Sequence, residues 1–212
     1  MKCKNGLKAD IIKKIFDTKK LFLILLFIFV FQSWTKADDI RELQIEGMSI
    51  GDSLLNYFSK NTIESNAQED QLPNDKYYIR SFWKNEKFKQ YELVNIYHLK
   101  NDKKYIIAGI TGLVRYDNNI NKCFKEKNII EEQFDAEFKN AEKASGQLKK
   151  SFDKTGNSKG YVTEYTFKDG SIVQIACDDW SEEMSNNGYS DSLTISIQTY
   201  ELGNFILNYA YN

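Results

Sequence analysis

The apolar positions of the chain follow three rhythms: an unbroken run, a period near 3.6 residues and a two-residue alternation. The run is Leu21 to Phe31, eleven apolar residues behind the basic flank Lys13, Lys14, Lys19 and Lys20. A bilayer span needs roughly 20 residues, so this run reads as the core of a signal peptide occupying residues 1–37. Thr35 and Ala37 give a small-x-small ending, which predicts cleavage between Ala37 and Asp38. An uncleaved anchor is the competing reading. No Cys follows the run, so a lipid anchor is not indicated.

The helical period is clearest from Ile120 to about Lys143. Cys123, Ile130, Phe134, Phe138 and Ala141 advance along one face, while Lys125, Glu131, Glu132, Asp135 and Lys139 make a solvated one. A shorter helix is predicted over about Ile50 to Lys60, opened by Ser49 and Asp52 in a capping box. Gly51 weakens it by about 1 kcal/mol relative to Ala. Alternation and aromatic content predict strands at Tyr77–Trp83, Tyr91–Lys100, Lys104–Tyr116, Tyr161–Lys168, Ser171–Asp178, Leu193–Tyr200 and Phe205–Tyr211. Asn101-Asp102, Asp169-Gly170 and Leu202-Gly203-Asn204 would turn between neighbours. Asn61–Lys76, with the single proline Pro73, and Ala144–Gly160 read as polar connections.

Hairpins pair neighbours and leave no parallel crossovers. The expected fold is therefore one α+β domain over residues 38–212, an antiparallel sheet of about six to seven strands with two helices packed on it. The order helix–strands–helix–strands also reads as a duplicated α-β-β-β unit, with Tyr97-His98-Leu99-Lys100 paralleling Tyr165-Thr166-Phe167-Lys168.

Charge narrows the partners. Of 29 basic and 30 acidic residues, eight and two fall in 1–37, which leaves 21 and 28 and a net charge of −7 for residues 38–212. A nucleic-acid binder needs a basic face, so none is expected. The 38–212 chain keeps two cysteines, Cys123 and Cys177. Both fall on apolar sides of their elements, and an even pair in an oxidising compartment predicts a disulfide; two buried free thiols are the alternative. No C-x-x-C, phosphate loop or Gly-x-Gly-x-x-Gly is present, so no cofactor is expected.

Two constellations carry candidate chemistry. Gly51-Asp52-Ser53-Leu54 resembles the signature of the GDSL esterases and lipases, which implies Ser53 as nucleophile. A base must then reach it, and the sole histidine, His98, would serve. The family's C-terminal Asp-x-x-His has no counterpart here, and helix capping explains the same four residues. Asp178, Asp179, Glu182, Glu183 and Asp191 form the densest acidic patch, a candidate calcium loop although EF-hand spacing is absent.

The run Ile45-Glu46-Gly47-Met48-Ser49-Ile50-Gly51-Asp52-Ser53-Leu54-Leu55 after a signal peptide resembles small exported proteins of AT-rich marine alphaproteobacteria. Gly47-Met48-Ser49 is also similar to the segment that opens a helix on an antiparallel sheet in BamE/SmpA-like envelope proteins, without that family's lipoprotein Cys. The signal segment predicts a periplasmic or secreted protein with no membrane span after cleavage, and one His, no metal cluster, no phosphate loop and an incomplete triad point to a protein that works by binding a protein partner in the envelope. Tyr77, Tyr78, Phe82 and Trp83 are the candidate contact surface, because aromatics dominate interface energetics. Burial in the core is their competing reading.

Overall fold

In the computed structural model, which describes residues 39–68, 72 and 76–210, the alternating segments pair into one antiparallel sheet. Its strands are β1 (Ala67–Gln68), β2 (Tyr77–Trp83), β3 (Leu93–Leu99), β4 (Gly109–Arg115), β5 (Glu142–Lys149), β6 (Lys159–Thr166), β7 (Ile172–Asp179) and β8 (Ser192–Gln198), in the order β1-β2-β3-β4-β8-β7-β6-β5. The described helices are α1 (Lys60–Ser65), α2 (Ile120–Glu137), α3 (Glu182–Asn186) and α4 (Tyr200–Phe205). The α+β class holds, and the eight strands exceed the six to seven expected. All described residues belong to one unit, residues 36–212. The predicted signal segment and its Ala37/Asp38 cleavage point lie outside the described residues.

The sheet is two four-stranded meanders, each preceded by a helix, joined where β4 pairs with β8. In this order β7 holds the place of β3. Tyr97–Lys100 closes β3 whereas Tyr165–Lys168 closes β6, so the two matching tetrapeptides are not equivalent positions. Shared hairpin chemistry accounts for their likeness.

Three sequence expectations shift. No helix runs from Ile50 to Lys60, because Gly51 takes φ +90° and the backbone there binds another segment. Gly51 N–H donates to Ile107 O at 2.9 Å, and Leu54 N–H donates to Tyr105 O at 3.0 Å. A single 3-10 turn, Leu54–Asn56, and then α1 follow, capped by Ser53 and Ser59 rather than Ser49. The Gly47-Met48-Ser49 segment forms a tight turn, with Glu46 and Gly47 at positive φ and Ile45 bridged to Met48. Helix α2 starts at its Asn119 cap but stops at Glu137, and the supposed connection after it is β5. The final "strand" is helical: Thr199 caps α4, which buries Leu202 and Phe205 on one side.

Register partners share a face of the sheet, and the two faces are treated differently. One is covered along both halves. Over the first half lie residues 40–65, with Phe58 stacked on Phe82 at 4.3 Å and Ile45, Met48, Leu54 and Ile63 buried. Over the second half lies α2, whose Phe134 and Phe138 pack edgewise on Tyr165 at 5.8 and 5.5 Å. Burying each such side chain contributes about 1.5–3 kcal/mol. Cys123 of α2 and Cys177 of β7 lie at disulfide distance, with Cα atoms 5.9 Å apart, and stitch helix to sheet. The polar side of α2 is not uniformly solvated: Lys127 is buried, paired with Glu131 and donating to Thr163 Oγ1 at 2.8 Å.

The other face is covered at one end only. There α4 sets Leu202 over Gly109, where an added Cβ would come within 2.2 Å of Leu202 Cδ2. Leu202, Tyr77 and Phe205 form a small buried cluster at that end.

Candidate functional site

Each candidate catalytic group is already engaged. Ser53 Oγ accepts from Leu55 N–H at 3.2 Å and donates to the Lys104 carbonyl at 2.6 Å. Asp52 accepts from Ser49 N–H at 3.0 Å and from the Tyr57 hydroxyl at 2.5 Å. Burial and that carboxylate push the Tyr57 phenol up to about 12. His98 is fully buried. Its Nδ1 lies 2.8 Å from Leu99 O and takes the proton, which leaves Nε2 to accept from Arg80 Nε at 2.9 Å. Burial holds its pKa below the usual histidine value, partly opposed by the bond to Leu99. No hydrogen bond joins Ser53 to His98. A nucleophile whose proton goes to a carbonyl, and a base whose lone pair meets a guanidinium, do not make the coupled pair that acyl transfer requires.

The acidic patch is likewise dispersed. Asp178 pairs with Lys150 at 2.5 Å, and Asp191 is buried, accepting from Trp180 N–H at 3.0 Å. Burial, and then Asp191, raise the pKa of Asp179. Glu182 and Glu183 occupy the first turn of α3. Among the described residues, no group of three or more His, Cys, Asp or Glu could hold a metal ion. The calcium-loop expectation finds no ligand set.

The four candidate aromatics of β2 do not share a surface. Alternation sends Tyr78 and Phe82 to the covered face and Tyr77 and Trp83 to the other. Phe82 is buried under Phe58, and Tyr77 under Phe205. Tyr78 is half-buried, beside Arg80 at 4.9 Å. Trp83 alone is widely exposed, at 48 %.

Trp83 opens a different arrangement. On the uncovered face, register places residues in straight rows across seven strands, β2 to β5. One row is apolar or small: Trp83, Leu93, Leu113, Thr194, Ala176, Val162 and Gly146. At about 4.8 Å per strand it is about 29 Å long. The next row towards α4 is polar: Ser81, Asn95, Thr111, Ser196, Gln174, Glu164 and Ala144. Its members are tied across strands, Ser81 to Asn95 at 2.6 Å and Thr111 to Ser196 at 2.8 Å. On the far side of the apolar row stand Arg115, Ser192, Asp178, Gly160 and Leu148. Arg115 is held by Glu92 at 3.0 Å and stacks 4.6 Å from the Trp83 ring centre.

The same end of the second half carries a surface cluster of rings. Phe152, Trp180 and Tyr189 touch one another, with centroids 4.6 to 6.0 Å apart. Phe152 is 55 % and Tyr189 41 % exposed. Lys150, paired with Asp178 of the open face, places its ammonium 5.4 Å from the Trp180 ring centre. The three loops bearing these rings are pinned from below. Buried Asp153 accepts from Thr155 N–H at 2.9 Å and Ser158 N–H at 2.8 Å, and the Ser158 hydroxyl first, then the Thr155 hydroxyl and these amides, hold its carboxyl well below the ordinary range against burial. Ser158 Oγ accepts from Ser181 N–H at 2.9 Å, and Asp191 holds Trp180. Rings fixed in place before binding lose little freedom on contact. Neither the rows nor the cluster were found from the sequence. Phe152 and Trp180 stand in polar and acidic runs, and large aromatics isolated in such runs were the available signal.

Among the described residues no helix is long and apolar enough to cross a membrane. Comparison with protein-family models, with curated proteins and with solved structures finds no match.

Proposed function

We propose that residues 38–212 form an exported binding module of the cell envelope, and that a protein partner lays an elongated apolar ridge across the open sheet face. The observation that carries this reading is the 29 Å row from Trp83 to Gly146 (about that length at strand spacing), exposed at its two ends and half-buried along most of its length, with Ala176 buried, while the opposite face is sheathed. A folded chain that seals one face and leaves an apolar row open on the other presents a contact surface. The pre-set rings of Phe152, Trp180 and Tyr189 supply the aromatic anchor such contacts use. The cysteine pair at disulfide distance supports passage through an oxidising compartment, and the sequence of residues 1–37 supports export by a cleaved signal. The engaged states of Ser53 and His98 favour binding over ester hydrolysis.

Crosslinking in intact cells followed by capture tests the assignment. Leu113→Glu places a charge in the apolar row on a half-exposed strand position, and Trp83→Ser removes its exposed end. Both variants should fold and lose the crosslinked partner. Recovery of the same partner at wild-type yield with both variants would refute the open face as the contact.

A further inference from the structure

The open face is not the sole unpaired surface. We infer that the outer edge of β5 accepts an extended segment of another protein, one that carries acidic side chains on one of its sides, as a ninth strand. This goes beyond the open-face reading and does not depend on it. All eight residues of β5 are exposed, it pairs with β6 alone, and its register with β6 runs unbroken from Glu142↔Thr166 to Lys149↔Lys159. It has no proline and no bulge, devices that commonly blunt a sheet edge. The small residues Ala144, Ser145 and Gly146 at its centre leave the backbone accessible.

Charge decides the occupant. Lys143, Ser145, Gln147 and Lys149 share the covered-face side, and Glu142, Ala144, Gly146 and Leu148 the open-face side. In an antiparallel pairing of two copies about a two-fold axis, partners must lie on the same side, so paired residue numbers sum to an even value. The two registers of greatest overlap, each leaving one residue of β5 without a partner, centre on Ser145 or on Gly146. The first sets Lys143 diagonal to the second copy's Lys149, and the other sets them directly opposite. Like charges so placed repel. Lys149, with Lys143 beside its Asp135 partner, attracts a foreign strand with Glu or Asp at alternate positions, whose intervening apolar residues would extend the side lined by Ala144 and Leu148. Edge lysines thus oppose self-pairing while selecting an acidic segment, the strand-addition mode of peptide recognition.

The probe is a blocked peptide, acetyl-(Val-Glu)4-amide, with acetyl-(Val-Lys)4-amide as its counterpart. The binding partner is the protein purified from cells expressing the full chain, and the readout is hydrogen exchange. The expected result is at least tenfold slower exchange of the outward amides of β5 with the Glu peptide and none with the Lys peptide. Lys149→Glu, an exposed change that leaves the Lys143–Asp135 pair in place, should weaken the Glu peptide at least tenfold and admit the Lys peptide. Absence of β5 protection, or protection confined to the open face, would overturn the proposal. So would a dimer whose β5 amides are protected without peptide, which would assign the edge to a second copy. The crosslinking result with Leu113→Glu is read separately, so either proposal can fail alone.

Discussion

Arg80 and His98 meet inside the covered face, guanidinium Nε to imidazole Nε2 at 2.9 Å, with His98 wholly shielded from water. The bond requires a neutral ring, and burial lowers the ring's pKa from its ordinary 6.5. The folded state therefore binds this proton less readily than the unfolded one. Its contribution to stability is fully present above about pH 6.5, the unfolded value, and declines as pH falls through the lowered folded value. Urea unfolding from pH 7.5 to 5 should show that decline. In His98→Gln, which is less stable at neutral pH, the slope over this window should be shallower.

Cys123 and Cys177 would close 54 residues if joined, which corresponds to about 4 kcal/mol of chain entropy removed from the unfolded state. Peptide mapping without reductant should recover the two segments as one linked species. The double change Cys123→Ser with Cys177→Ser should lower unfolding free energy by about 2–5 kcal/mol. Separate, alkylatable peptides from unreduced protein would disprove the link.

The packing of α4 rests on the missing side chain of Gly109. Gly109→Ala would drive a methyl group against Leu202, at 2.2 Å from Cδ2 before any shift. Overpacking of this kind costs about 1–3 kcal/mol. Leu202→Ala alone should cost about 2–5 kcal/mol, since Leu202 is fully buried. Together the two should cost less than their sum, because the truncated Leu202 makes room for the new methyl. A double-mutant cycle in urea measures that coupling.

What was legible in the sequence followed burial. The hairpin about Asp169-Gly170 was readable because buried Val173 and Ile175 alternate with half-exposed Ile172 and Gln174, so period and burial coincide. Helix α2 was readable from Cys123, Ile130 and Phe134 for the same reason. Strand β5 was not, since both its sides are wet and Glu142–Lys149 carries no alternation to detect. The end of the chain was misread because Leu207, Tyr209 and Tyr211 alternate as a strand would, while the helical face of α4 rests on Leu202 and Phe205. The rows of the open face could not be read at all: they run across strands, and their members belong together only once register is set.

The ring cluster offers the last test, because its order depends on a residue that no partner would touch. Asp153 is 4 % exposed and accepts from Thr155 and Ser158 in its own loop. Its folded pKa lies below its ordinary value, so the pinning is fully present above about pH 4, the unfolded value, and is lost only as pH falls through the lowered one. Asp153→Ala strands the buried Ser158 N–H without its acceptor, an expensive state for a buried donor, and frees residues 150–158. Exchange in that loop should quicken while the amides of β7 and β8 keep their protection. Trp180 is the fluorophore of the cluster, packed 5.6 Å from Phe152, and its emission should shift to the red as Phe152 leaves. Trp83→Phe removes the other described indole from the signal, so the measurement is made in that background. If capture of the envelope partner falls in Asp153→Ala as far as in Phe152→Ala, the rings act because they are held in place. If Phe152→Ala loses the partner while Asp153→Ala keeps it, exposure alone suffices and the pinned loop serves only the fold.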